Sequence, residues 1–198
     1  MTTSDPVDEL QRFDPAIPVE SATTPPASWY VDATFAEMER RAFREGWVPV
    51  ARVDQVTAPG VCVTGTVAGE PWVIVRGDDG MLRGFSNVCR HHASGVVTEA
   101  QVLACAPLEE LVCPYHGWTY GLDGSLKRAP RSGGIKDFDA STMGLRPVSV
   151  TTCGQFVLMR VAGDAPLPNG LDALVSKLDE MGASGLRWKT RRTFIVAC

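Results

Sequence analysis

The sequence predicts a mainly β protein: a small antiparallel barrel or sandwich with helices flanking it at both ends. Three observations predict this. Between about residues 46 and 163, Val, Ile, Leu and Phe come in short runs separated by turns rich in Gly and Asp. Runs of strand length with that punctuation read as hairpins. On either side, apolar residues recur at helical spacing instead. The 198 residues can bury one good core with an appendage.

Residues 1–27 are rich in Thr, Ser, Pro and Asp and are read as a disordered lead. Residues 28–45 carry the N-terminal helix. Its regular part begins at about 33, after Asp32 as cap, with Phe35, Met38, Ala42 and Phe43 at helical spacing and Gly46 at its end. The β region, 46–163, opens with a strand over 48–53, followed by apolar runs at Val61, Val63 and Val73-Ile74-Val75. Gly77-Asp78-Asp79-Gly80 turns the chain into Leu82-Arg83-Gly84-Phe85, and Asp123-Gly124 marks a second hairpin. Val148-Ser149-Val150 and Phe156-Val157-Leu158-Met159 close the set. In 164–198, Leu171, Leu174, Val175, Leu178 and Met181 make a second amphipathic helix. A strand over 187–198 follows it.

A net charge of −4 argues against nucleic acid or an anionic membrane as partner. No apolar run approaches the length needed to span a bilayer. No signal peptide is visible, so the cytoplasm is the default location. Of six cysteines, Cys62, Cys105, Cys153 and Cys198 suggest no disulfide framework and are read as reduced and structural.

Two short boxes carry the chemistry. Cys89-Arg90-His91 and Cys113-Pro114-Tyr115-His116 each supply one thiolate and one imidazole. The chain has three histidines, His91, His92 and His116, and all fall in or beside these boxes. Two Cys and two His are the ligand set of a Rieske [2Fe–2S] centre, in which two cysteines hold one iron and two histidines the other. A tetrahedral zinc site uses the same residue types. Zinc sites usually take a Cys pair from one box and a His pair from the other, whereas each box here is mixed. Buried core cysteines beside incidental histidines would be the plain alternative.

The surroundings carry a resemblance. Asn87 precedes the first box, and the second continues as Cys113-Pro114-Tyr115-His116-Gly117-Trp118-Thr119-Tyr120. This is similar to the Rieske domain of ring-hydroxylating and related oxygenases, and Cys89-Arg90-His91-His92-Ala93-Ser94 most resembles the choline-monooxygenase-like branch. The resemblance implies a Rieske-type β domain over 46–163 and one [2Fe–2S] cluster on Cys89, His91, Cys113 and His116. Cytochrome bc-type Rieske proteins match less well. Their extra disulfide cysteines fall at Ser94 and Tyr115, and their serine hydroxyl donor falls at Trp118. Hence the potential is expected in the lower part of the Rieske range. Tyr115 and Trp118 are expected to pack over the loops and limit water access. His92 reads as a solvated or partner-facing side chain. The 21 residues from 92 to 112 are longer than the family's usual stretch, which alters the hairpin between the boxes.

The segments 27–32 and 41–47 resemble the lead of oxygenase catalytic subunits, and 191–198 resembles the entry to their catalytic domain. The resemblance therefore implies the N-terminal half of an oxygenase α subunit. Its implied partners are a reductase or ferredoxin donor and an oxygenase catalytic domain, in a family that forms homotrimers. That chemistry needs a mononuclear Fe(II) on two histidines and a carboxylate. With His91 and His116 on the cluster, His92 alone is left, so the second iron belongs to the missing half. This chain by itself is expected to transfer electrons and hydroxylate nothing. The face of Phe35, Met38 and Phe43 and the last strand are expected to pack on that half. The alternative is a free-standing Rieske ferredoxin-like carrier; a zinc-stabilised interaction module is remote.

Overall fold

The computed structural model describes residues 6–103, 106–163 and 165–190. Its frame is a six-stranded antiparallel sheet that curls towards a barrel. The strands are β1 (Val48–Arg52), β2 (Cys62–Val67), β3 (Glu70–Arg76), β4 (Leu82–Ser86), β8 (Pro147–Cys153) and β9 (Phe156–Arg160), in the order β1-β9-β8-β4-β3-β2. Between β4 and β8 the chain leaves this sheet and builds a small one from β5 (Leu111–Val112), β6 (Thr119–Tyr120) and β7 (Leu126–Arg128), in the order β5-β6-β7. The expected class, mainly β and antiparallel with few helices, is the observed one.

The turns do what their residues allow. Gly77 N–H donates to the Met81 carbonyl at 2.9 Å, closing the turn into β4. Gly121 N–H donates to the Ser125 carbonyl at 2.9 Å, closing the Asp123-Gly124 turn between β6 and β7. Alternation then sorts the side chains of β3. Val73 and Val75 face one core with Phe85, Leu111 and Tyr120, while Trp72 and Ile74 face a second with Val56, Val157 and Met159. The first of these cores underlies both Cys/His boxes.

Helices sit outside the sheets. In the lead, Pro6–Gln11 form α1, with proline at the first position and Asp8 and Glu9 in the first turn. Phe13 packs on Trp29 with centroids 5.3 Å apart, and Trp29 stacks on Phe35 at 5.7 Å. The helical stretch before the sheet is broken into α2 (Ser28–Val31) and α3 (Ala33–Glu45). Asp32 lies between them and caps α3 by accepting from Thr34 N–H at 2.7 Å. Phe35 is buried against this chain's own aromatics, so the expectation that its face awaits another domain is corrected there; Phe43 remains exposed. The end of α3 is pinned by Ala162 N–H donating to the Arg44 carbonyl and by Trp47 Nε1 donating to Ala165. After the sheet comes α5 (Leu171–Glu180), whose Leu174 stays exposed. Residues 187–190 have irregular backbone, and the rest of the strand expected over 187–198 lies outside the described residues. Among the described residues, no helix is long and apolar enough to cross a membrane.

The long connection between the boxes holds a short helix, α4 (Glu99–Leu103). Thr98 and Gln101 cap its start reciprocally: Thr98 N–H donates to Gln101 Oε1, and Gln101 N–H to Thr98 Oγ1. Beyond it, Leu108 N–H donates to the Gly60 carbonyl at 3.0 Å. The extra length is thus folded against the edge of β2, and the β5–β6 hairpin is intact. Gly60 has φ +76°, and a Cβ there would lie 2.2 Å from the Leu108 carbonyl oxygen. Gly60→Ala is therefore expected to lose about 2 kcal/mol or more in a urea titration, from strain plus the clash.

Candidate metal centre

Each box is a tight loop, the first following β4 and the second joining β5 to β6, and the two loops repeat one hydrogen-bond plan. In the first, Cys89 N–H donates to the Ser94 carbonyl at 2.8 Å and Ala93 N–H to the Cys89 carbonyl at 3.0 Å. In the second, Cys113 N–H donates to the Trp118 carbonyl at 2.8 Å and Gly117 N–H to the Cys113 carbonyl at 3.0 Å. The fourth residue after each cysteine has a left-handed backbone, with φ +57° at Ala93 and +72° at Gly117. Glycine meets that demand freely, alanine does not. Ala93→Gly is therefore expected to stabilise the fold by about 0.5–1 kcal/mol, read as a higher urea midpoint at unchanged slope.

The loops put sulfur inside and imidazole outside. Cys89 is 3% exposed and Cys113 2%, whereas His91 and His92 are exposed and His116 is half-buried. The ring centroids of His91 and His116 are 4.9 Å apart. His116 Nδ1 is buried and has no hydrogen-bond partner among the described residues. Partial desolvation of the ring against its neighbours, then the charges of His92 and His116, hold the His91 pKa below its ordinary value.

Neighbouring side chains brace this arrangement. Trp118 is buried and stacks on His91, 4.8 Å away and within 3° of parallel, while Phe138 meets Trp118 edge-on at 6.0 Å. Trp118 thus covers the inner side of the loops as expected. Tyr115 does not: it is 63% exposed and lies outside, over His116, with centroids 3.8 Å apart. It offers a face to the imidazole but no seal against water.

Two residues that sequence reasoning left without a role hold the loops together. Asn87 is buried and bridges the approach to the first box and the chain that leaves it. Its Oδ1 accepts from Val96 N–H at 3.0 Å and Val97 N–H at 2.8 Å, and its Nδ2 donates to the Val97 carbonyl at 2.8 Å and Thr64 Oγ1 at 3.1 Å. The Asn two positions before the first cysteine was the available signal. Tyr120 is fully buried on β6, and its hydroxyl lies 3.3 Å from Cys89 Sγ and accepts from Arg90 N–H at 3.0 Å. Burial first, then the cysteine, pushes the Tyr120 pKa up, and Cys113 adds to the effect. Between a thiol and a phenol either can donate; once Cys89 is a thiolate, only the phenol has a proton to give. The serine hydroxyl is absent at Trp118; the hydroxyl that lies beside a candidate ligand sulfur is that of Tyr120.

Two buried thiols, two convergent imidazoles and an unpaired buried ring nitrogen are a donor set that suits a cluster with cysteines on one iron and histidines on the other. Replacing Tyr120 by Phe tests the hydroxyl. A hydrogen bond to the more negative, reduced form raises the potential. Removing about 1 kcal/mol of such preference should lower a one-electron midpoint by about 40 mV. A redox titration followed by visible absorbance checks it.

Known proteins resemble this chain in sequence and fold. A family model described as the Rieske [2Fe-2S] domain matches residues 46–139. The chloroplastic choline monooxygenase of Arabidopsis thaliana is 37% identical over 202 residues, covering 96% of this chain and 47% of that one. The glycine betaine monooxygenase oxygenase subunit of Chromohalobacter salexigens is 37% identical over 78% of this chain and 33% of its own. The crystal structure of the quaternary ammonium Rieske monooxygenase CntA in its apo form superposes with a TM-score of 0.70 at 29% identity, covering 78% of this chain and 45% of that one. The chain thus spans about half, or less, of the relatives it matches. A Rieske domain implies a [2Fe–2S] cluster, which the donor set fits. The chain belongs to the Rieske [2Fe–2S] domain family, in the form carried by the N-terminal part of Rieske oxygenase α subunits.

Proposed function

We propose that this domain relays single electrons from a reductase or ferredoxin donor to a mononuclear iron held outside the present sequence. Cys89 and Cys113 would bind one iron of the cluster as thiolates, and His91 and His116 the other as neutral imidazoles. When bound, the cluster supplies one-electron storage. The observation that carries the reading is the convergence of the two equivalent loops, with sulfurs buried and His116 Nδ1 buried and unpaired.

The chain's own groups divide the work. With Cys89 a thiolate, the Tyr120 hydroxyl 3.3 Å away would donate to its sulfur and stabilise negative charge there. Trp118 fixes the plane of His91 by stacking. With Nδ1 of His116 turned inward, its Nε2 is left for a partner group, and exposed Tyr115 and His91 form the rest of that outer surface. The relatives' names suggest a quaternary amine as substrate of the whole enzyme, and a reducing, cytoplasm-like compartment suits the free thiols Cys62 and Cys153.

The test is activity. Supplied with reductant, oxygen and choline or glycine betaine, the chain should take up one electron per cluster and form no hydroxylated product. His92 is the only histidine left for a second iron, and two are needed. Product formed by this chain alone, surviving removal of free iron, would overturn the relay reading. Hydroxylation restored by a separately expressed catalytic half would support it.

A further inference from the structure

A Rieske cluster uses two imidazoles, yet this site gathers three. Ligating nitrogens of His91, His92 and His116 all lie within 4.8 Å of one another. The His92 ring centroid is 3.9 Å from that of His91 and 5.3 Å from that of His116. His91 and His92 are exposed, while both cysteines lie beneath the loops with Cys89 Sγ against Tyr120. A tetrahedral ion with metal–nitrogen bonds of about 2.0–2.1 Å sets its nitrogens about 3.4 Å apart. The three nitrogens therefore need to close by at most about 1.4 Å, a side-chain adjustment that falls mainly to the exposed His91 and His92 rather than to half-buried His116.

We propose that, before the cluster is installed, His91, His92 and His116 form a three-imidazole site for one divalent transition-metal ion, with a fourth position open to water. Neutral imidazole suits zinc, cobalt, nickel and copper. A hydrated ion arriving from solvent meets the exposed His91 and His92 before the buried cysteines. Occupancy excludes the cluster, since His91 and His116 cannot serve both; this consequence rests on the ligand assignment proposed above, whereas the three-histidine site does not. Loading with the wrong ion is thus a block on maturation, and His92 is the residue that creates it.

The experiment uses the full chain, expressed under iron limitation and kept reduced, titrated with cobalt(II). One cobalt per chain should bind with visible ligand-field bands and without thiolate-to-cobalt charge transfer. His92→Asn should weaken binding by roughly a hundredfold or more, since losing even an outer-shell partner of a metal site costs roughly 10- to 100-fold. In the same variant, reconstitution with iron and sulfide should reach the wild-type cluster content. Zinc added first should slow reconstitution of the wild type and leave the variant little affected. Strong thiolate charge transfer, equal cobalt affinity in the variant, or no cobalt binding would each overturn the proposal. A wild type that binds cobalt as described but never acquires a cluster would instead overturn the cluster assignment.

Discussion

Replacing Cys89, His91, Cys113 or His116 singly by alanine is expected to abolish the cluster, with visible absorbance and acid-labile sulfide both lost. Each residue supplies one of four bonds, and the remaining three leave an iron open to solvent or exchange. Replacing Cys62, Cys105 or Cys153 should leave the cluster in place. Cys62 is buried in the core, and burial alone pushes its thiol pKa up to about 11, which marks an inert sulfur. Cys105 lies outside the described residues, and its spacing fits neither box. A protein bleached by Cys105→Ala but not by Cys113→Ala would show the assignment to be wrong. The metal-free variants separate cluster loss from misfolding: circular dichroism should retain the β signal, because the six-stranded sheet is built without the loops.

Asn87→Ala is expected to be the most damaging substitution outside the ligands, at about 3–5 kcal/mol. Truncation strands Val96 N–H, Val97 N–H and the Val97 carbonyl in a region where both valines are buried. Each stranded buried group costs about 1–3 kcal/mol, and the smaller side chain opens no path for several waters at once. Guanidinium or urea unfolding measures it directly. Asn87→Asp should do nearly as badly. A carboxylate accepts from the two N–H groups but turns an acceptor on the Val97 carbonyl, where Nδ2 now donates. A loss below about 1 kcal/mol in either variant would mean that the loop is held by the β4 and β5 strands alone.

What was legible in the sequence divides by range. Strand-length runs and their Gly/Asp turns are local, so the order of the β elements could be read directly. The two mixed boxes are also local, because each pair of donors sits within four residues. What was not legible depends on tertiary placement. Tyr120 reads as one more core aromatic until β5 pairs with β6 and brings its hydroxyl to Cys89. Tyr115 and Trp118 look interchangeable along the chain, yet the loop turns one outward and the other inward. Helix α4 has only five residues, too few to show a period, and only its Thr98/Gln101 cap pattern announces it. In the lead, Thr, Ser, Pro and Asp content argued for disorder, and Pro6 with Asp8 and Glu9 in the first turn is the one local sign of α1. The proximity of His92 to His116 joins two loops and leaves no mark in either.

The central claim is that two thiolates and two imidazoles of these paired loops hold one [2Fe–2S] cluster. Metal and sulfide analysis of the purified, reduced chain, combined with electron–nuclear spectroscopy of the cluster, tests it most directly. The account predicts about two irons and two acid-labile sulfides per chain and hyperfine coupling to two imidazole nitrogens, lost together in His116→Ala. Stoichiometric zinc without visible absorbance, or an iron–sulfur cluster with no coupled histidine nitrogen, would contradict it.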